Sequence, residues 1–388
     1  MFGTCSTEHK YENTTGLKKH MTKQKFKARL RSEWILENAD GVELPMGDVL
    51  RLLGAIERLG HLAGASKECR FSYRHAWGLL RNAEKQFDAA LLETSRRKGT
   101  KLTEFAQRLL WANRRLDARL TPTLESMASE LEEELGRLYA QPLDRLRFQA
   151  SHGFAIEGLM RFANEREGLP LELRYRTAIE ALASLERGDC DLAGFQVPVG
   201  EFEAAALRRY GQWLSPARHR LIFLSTRRTG LFVEKGNPKN ITGMADLLRP
   251  DVRFVNRQMG SSTRFLATLL LGQLGVNTNA VLGFETTELT HMAVAAHVAS
   301  GMADTGLGVE TAASRCGLEF IPLAQERYFI AVEQEALDKA PMQQLMNVIG
   351  GSAYSQFMED LVGYDPRGLG QIMTLEQAFG QAADMLWR

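Results

Sequence analysis

The residues best suited to chemistry lie together in the run Phe254-Val255-Asn256-Arg257-Gln258-Met259-Gly260-Ser261-Ser262-Thr263-Arg264-Phe265-Leu266. A short apolar stretch, a loop bearing guanidinium and amide groups, and a Gly-Ser-Ser-Thr turn leading into an apolar-periodic segment predict a strand, a loop and a helix to about Leu274. A helix start has unpaired N–H groups and a partial positive charge. Adding the hydroxyls of Ser261, Ser262 and Thr263, the amides of Asn256 and Gln258, and the guanidinium of Arg257 or Arg264 makes a candidate site for a small anion. A Ser/Thr cluster at a helix start is also an ordinary cap, so the chemistry depends on what faces it. Ser151 and His152 follow a predicted strand, Leu146 to Ala150, and open the next helix; they are the candidates for an opposite wall.

A second constellation lies nearer the start. Ser72-Tyr73-Arg74-His75 opens an apolar-periodic segment to about Ala83, and a shorter one, His61 to Glu68, precedes it across Cys69-Arg70-Phe71. Two short helices joined by a tight turn form the helix-turn-helix arrangement, in which Ser72 caps the second helix and that helix's first turn meets base edges. Ala76, Leu79 and Leu80 are read as inward-facing, and Trp77 as core. Beyond them, Leu91 to Ser95 and Thr100 to Thr103 flank Arg96-Arg97-Lys98-Gly99. Two short strands around a basic tip make a wing suited to phosphate or the minor groove. A solvated hairpin tip looks the same, and its place directly after the helix-turn-helix favours DNA.

These groups need a frame. Residues 1–25 lack an apolar period and read as a disordered basic tail; from Lys18 to Arg31 the chain has five lysines and two arginines with no acid. A hairpin over Phe26 to Leu36 with its Asn38-Ala39-Asp40-Gly41 turn, then a helix burying Val49, Leu50, Leu52, Leu53, Ile56 and Leu59 and closed by Gly60, complete a winged helix-turn-helix over 26–102. A linker helix follows over 103–140, with Leu109, Leu116, Leu120, Leu124, Met127, Leu131, Leu135 and Leu138 at helical steps. Such a stripe needs a partner, most simply the same helix of a second copy, giving a homodimer or homotetramer. Thr121-Pro122 either kinks this helix or restarts it. After Gln141-Pro142-Leu143-Asp144, strands and helices alternate over 145–388, and a second alternating unit begins with Met244 to Leu248 and Arg253 to Asn256. That pattern predicts parallel sheet covered by helices on both faces, in two lobes, the second over about 228–325. Leu221 to Thr226, Leu231 to Glu234 and Phe329 to Glu333 are read as separate strands.

The totals set bounds on these readings. A chain of 388 residues is expected to form two or three domains. The net charge of +1 hides a basic front, with 24 Lys and Arg against 20 Asp and Glu over residues 1–144. Cys5, Cys69, Cys190 and Cys316 are scattered without a C-x-x-C pair, which argues against a zinc site or a disulfide framework, and His291 and His297, six apart, do not suit a shared helical metal site. No apolar run is long enough to span a bilayer and the start is polar, so a cytoplasmic location without membrane contact is expected. No activated nucleophile, metal constellation or carboxylate pair marks an enzyme.

The front run, Arg29 to Leu110, resembles the winged-helix domain of ModE-type molybdate-responsive regulators and, more distantly, of LysR-type regulators. Leu52-Leu53, Gly60, Ser72-Tyr73-Arg74-His75-Ala76-Trp77, Leu102-Thr103, Phe105-Ala106 and Leu109-Leu110 carry the resemblance. Residues 145–375 resemble the molybdate-binding-protein-like domain often fused to such domains, through Ala150-Ser151-His152, Asp191-Leu192-Ala193-Gly194, Gly236-Asn237-Pro238, Arg253 to Arg264, Thr290-His291 through Ala299-Ser300-Gly301, Ala303 to Gly308, and Glu326-Arg327-Tyr328. The chain departs from that pattern at His61 (usually Ser), Arg70 (usually Gly), Gly153 (usually Asp), and Asp191 and Gln196 (strand-end histidines), and Gly-Ser-Ser-Thr replaces Gly-Ser-Gly-Thr.

The fold class these readings predict is α/β with an all-α-rich N-terminal winged helix: a winged helix-turn-helix, a linker dimerisation helix and a two-lobed periplasmic-binding-protein-like domain. The resemblance implies a one-component transcription regulator that binds a double-stranded DNA operator. Its effector is a small anion, either an oxyanion such as molybdate or tungstate or a small carboxylate such as formate, the substrate of one class of molybdenum enzyme, with no other cofactor. The alternative is an anion-binding or storage protein whose helix-turn-helix does not bind DNA.

Overall fold

The computed structural model describes residues 28–95, 99–138, 146–165, 169, 171–380, 382 and 383. The tail over 1–25, the wing tip Arg96-Arg97-Lys98 and the boundary Gln141 to Asp144 lie outside them.

The front third contains β1 (Ile35–Glu37), β2 (Glu43–Pro45), α1 (Gly47–Leu59), α2 (Leu62–Glu68), α3 (Tyr73–Phe87), β3 (Leu92–Ser95), β4 (Gly99–Leu102) and α4 (Glu104–Leu138). In the β1–β2 turn Asn38 Oδ1 accepts from the amides of Asp40 and Val42, the local hydrogen bonding that makes Asn a turn residue. α1 buries Val49, Leu50, Leu52, Leu53 and Ile56 and stops at Gly60, whose φ of 72° lies in the left-handed region. His61, where the resembling family has serine, then caps α2 by accepting the Gly64 amide on Nδ1 at 2.9 Å. Arg70, where the resembling family has glycine, adopts φ 61° to make the turn. Ser72 Oγ accepts the His75 amide at 3.1 Å and opens α3.

α3 buries Ala76, Leu80 and Ala83. Trp77 is not core: it is 38% exposed, with the Arg81 guanidinium 4.6 Å above its ring. Position 77 is one residue off the buried stripe, about 100° around the helix, so its ring points outward. β3 and β4 pair antiparallel, and the Thr100 amide ties their hairpin to the Gly60 carbonyl at 2.8 Å. α4 runs unbroken through Pro122, so Thr121-Pro122 does not restart it.

The remainder forms β5 (Leu146–Ala150), α5 (Phe154–Glu165), β6 (Leu171–Tyr175), α6 (Ala178–Glu186), β7 (Leu192–Pro198), α7 (Glu203–Tyr210), β8 (His219–Val233), β9 (Phe254–Arg257), α8 (Ser262–Gln273), β10 (Thr287–Glu288), α9 (His291–Ala299), β11 (Thr305–Val309), α10 (Glu310–Arg315) and β12 (Glu319–Glu333). α11 (Ala340–Ile349), α12 (Ser352–Glu359), β13 (Tyr364–Asp365), β14 (Ile372–Met373) and α13 (Leu375–Phe379) follow. Strand order is β10-β9-β11-β8-β12-β7-β5-β6. β5, β6 and β7 are parallel, as are β9, β10 and β11, while β8 and β12 run antiparallel to their neighbours and to each other.

The sheet is therefore mixed, not parallel throughout. Leu221 to Thr226 and Leu231 to Val233 belong to one 15-residue strand, β8, which ends one residue before Glu234, and Phe329 to Glu333 is the end of another, β12. Arg227 and Arg228 inside β8 made it look like two strands. Met244 to Leu248 is a 3-10 turn, and the second unit's first strand is β9. β8 and β12 serve both halves and cross from one lobe to the other where Arg227 faces Glu326.

The two lobes repeat one construction. In the first, Arg147 at the start of β5 donates to Asp191 ahead of β7 and, through Nη2, to the Gly188 carbonyl at 2.9 Å. In the second, Arg253 ahead of β9 donates to Asp304 ahead of β11 and to the Gly301 carbonyl at 2.9 Å. Each clamp fixes the spacing of two parallel strands at the end away from the helix N-termini. Cys190 and Cys316 are buried and free.

Candidate functional site: an interlobe cleft with a buried arginine

The strand ends of both lobes and the N-termini of α5, α6 and α8 face a cleft of about 500 Å³. Its walls include Ser151, His152, Tyr175 and Thr177 from the first lobe and Arg257, Gln258, Ser261 and Ser262 from the second. One fully buried side chain bridges the two: Gln196 on β7 donates Nε2–H to Ser151 Oγ at 2.9 Å and accepts a hydrogen bond from Ser262 Oγ on its Oε1. The lobes also meet at Gly260. Its φ of 86° strains any residue with a side chain, and a Cβ there would stand 3.2 Å from Thr177 Cγ2.

Charge in the buried group behind the cleft, Arg227, Arg257 and Glu326, is unbalanced. Arg227 and Glu326 form a buried pair, Nη2 to Oε2 3.0 Å, in which the same carboxylate oxygen accepts from Thr229 Oγ1 at 2.8 Å. Arg257 is 3% exposed and donates Nη2–H to the Leu289 carbonyl at 2.7 Å. Its Nε has no partner, and it has no carboxylate in ion-pair reach among the described residues. Burial first, then the neighbouring Arg227, pull its pKa down to about 9, with Glu326 opposing. Two guanidiniums thus share one carboxylate.

The nearby imidazoles show the same field. Burial and then Arg257 lower His152 to about 4. His291, whose Nδ1 has no partner, is held well below the ordinary histidine value by burial and then by Arg257, Arg227 and His152. A buried cation without a partner is costly, and an anion placed against it relieves both the desolvation and the repulsion. What this site can do chemically is hold a small anion through a guanidinium, hydroxyls and helix N-termini.

Six of the sequence-predicted residues line the cleft: Ser151, His152, Arg257, Gln258, Ser261 and Ser262. Ser261 also caps α8, accepting the Arg264 amide at 3.1 Å. The other three do not line it. Asn256 is fully buried, donating to the Phe284 carbonyl at 3.2 Å and accepting the Arg257 amide at 2.9 Å, so it shapes the backbone behind the cleft. Thr263 is 2% exposed on the inward side of α8. Arg264 turns away to Glu285, Nη2 to Oε1 2.6 Å, over the Phe284 ring, about 200° around the helix from Ser262. Asp304 holds Arg253, Oδ2 to Nε 3.0 Å.

Sequence reasoning missed Gln196 as a bridge, Tyr175 and Thr177 as walls, and the pair Arg227–Glu326. Two charged residues inside an otherwise apolar strand at Arg227 and Arg228 were the available signal. At the front, Tyr73 is 58% exposed, and Arg74 and His75 are exposed beside it on the first turn of α3. Ser72 is occupied in capping. Arg96, Arg97 and Lys98 lie outside the described residues.

The PBP superfamily domain matches residues 159–350. An uncharacterised protein from the 5′ region of the 2Fe-2S ferredoxin gene of Clostridium pasteurianum is 33% identical over 102 residues, 26% of this chain and 90% of that protein. This chain belongs to the clostridial protein's family. The uncharacterised protein YvgK of Bacillus subtilis is 35% identical over 205 residues, 52% of this chain; the match spans 64% of YvgK's own length. Among solved structures, the full-length LysR-type regulator LysG of Corynebacterium glutamicum with bound effector Arg aligns with a TM-score of 0.40 at 17% identity, covering 81% of this chain and 99% of LysG. The PBP-like domain holds the cleft's α6, β7, β8, β9 and α8.

Proposed function

We propose that this chain is a one-component transcription regulator whose PBP-like domain closes on a small anion and whose front third binds DNA. The observation that carries the effector reading is Arg257: a guanidinium 3% exposed, its Nε unpartnered, beside hydroxyls and facing helix N-termini. The anion is an oxyanion such as molybdate or tungstate, or a small carboxylate such as formate. The front third supports the DNA reading by the order helix, turn, helix and hairpin, with Tyr73, Arg74 and His75 presented on the first turn of α3. As a winged helix-turn-helix it would place α3 in the major groove. In a homodimer, two such helices serve half-sites roughly 34–36 Å apart.

Binding one ligand alters affinity for the other only through a difference between two conformations, so the effector acts by favouring one interlobe arrangement. Calorimetric titration of the full-length protein with molybdate, tungstate, sulfate and formate tests the effector. Binding of at least one is expected, with affinity reduced a hundredfold or more in Arg257→Ala, the scale of a lost charge-assisted contact of about 3 kcal/mol. Response to none of the four would overturn the small-anion reading. Retardation of DNA from the protein's own upstream region, reduced at fixed salt by Arg74→Ala, tests the operator reading.

A further inference from the structure

One long helix crosses the mouth of the cleft. Pro122, Thr123, Ser126, Met127 and Glu130 of α4 stand among its lining residues, beside walls contributed by both lobes. On the second-lobe side, the Ala118 carbonyl accepts a hydrogen bond from Thr290 Oγ1 at 3.0 Å, and Arg119 pairs with Glu288, Nε to Oε2 2.7 Å. On the first-lobe side, Ser126 Oγ accepts the Tyr175 amide at 3.3 Å, and Glu125 Oε2 accepts the Tyr175 hydroxyl at 2.7 Å. Tyr175 in turn lies 5.0 Å, ring to ring, from His152.

The proline explains one of these attachments. Pro122 has no N–H, so the carbonyl four residues back, Ala118, loses its helical partner. That freed oxygen is the one that takes the Thr290 hydroxyl. Thr290 also caps α9, accepting the Ala293 amide at 2.9 Å. A helix-breaking residue thus supplies the contact that docks the helix on the second lobe. From Ala118 to Ser126 a helix rises about 12 Å and does not stretch, so attachment at both ends holds the lobes at one separation.

We propose that α4 is a third wall of the anion site, a strap fixed to both lobes that the effector must lift to enter or leave. This rests on the reading of the cleft as an anion site. The same helix is joined to the front third, where Arg114 pairs with Glu57 and the Trp34 indole donates to Asn113 Oδ1 at 2.8 Å. The element that covers the effector is therefore the element that carries the recognition helix.

The test uses full-length protein. Amide exchange over residues 119–130 is followed without ligand, and association and dissociation of molybdate and of formate are followed by rapid mixing. Arg119→Gln and the double variant Arg119→Gln/Tyr175→Phe should raise exchange in that segment at least tenfold and speed dissociation of a bound probe at least fivefold. Because Tyr175 lines the cleft, Arg119→Gln alone must move the rates in the same direction. Unchanged exchange in both variants overturns the strap. Unchanged probe rates, with Arg257→Ala abolishing binding, also overturn the strap and leave the anion site standing. If wild type binds none of molybdate, tungstate, sulfate and formate, or Arg257→Ala binds as wild type does, the anion reading fails and exchange alone decides the strap.

Discussion

His152 links proton binding to stability and, on the anion reading proposed above, to effector binding. Its folded value of about 4 lies below the ordinary 6.5, so between those limits the unfolded chain binds a proton that the folded chain does not. Stability is full above pH 6.5 and falls as the pH drops toward 4, by up to about 3 kcal/mol for this group alone. An anion beside Arg257 opposes the field that lowers His152, raises its pKa, and so takes up a proton on binding. Anion affinity should therefore rise as the pH falls from 7 to 5, with a limiting slope of one decade per pH unit. In His152→Gln the rise should be flatter. Titrations across that range, in buffers of differing ionisation enthalpy, measure both the slope and the proton. An equally steep rise in His152→Gln would assign the proton to another group.

At the scale of elements, caps and turns show how far local sequence reaches. Ser72, Thr177, Ser261 and Thr290 each cap the helix that follows; sequence alone placed the first and narrowed the third to the cluster Ser261-Ser262-Thr263. His61 does the same through an imidazole nitrogen, a residue type that cap preferences do not favour. His61→Ala should lower front-third stability by about 1 kcal/mol, seen in denaturant unfolding, whereas His61→Ser should match wild type. Equal loss in both variants would show that the ring matters for packing.

Strands were less legible than helices. β5 and β6 follow from apolar patterning, but β8 carries Arg227 and Arg228 in its centre, and nothing local says that a facing strand supplies Glu326 to neutralise one of them. Likewise Asn256, Arg257, Thr263 and Arg264 all look like anion ligands in a line. The pleat and the helix turn decide which face the cleft, and only Arg257 of the four does. The strap contact was invisible because Ala118 and Thr290 are 172 residues apart.

For the whole molecule, the crossing of β8 and β12 is where stability and function meet. Arg227 and Glu326 sit opposite each other where both strands pass between lobes, 2% and 0% exposed in their side chains. Removing one partner of a buried pair leaves the other uncompensated, at a cost of roughly 3–5 kcal/mol. Glu326→Gln preserves shape and can still accept from Arg227 and Thr229, but the buried cluster then holds two guanidiniums and no carboxylate. Without ligand the variant should be less stable, by about 3 kcal/mol in denaturant unfolding. The same charge removal takes a repelling carboxylate away from the anion and leaves more positive charge to be relieved, so molybdate or formate should bind more tightly, by roughly tenfold. Opposite signs for stability and affinity separate this account from general damage to the hinge, which weakens both. Loss of both together would mean that Glu326 shapes the crossing of the strands and does not set the charge of the cleft.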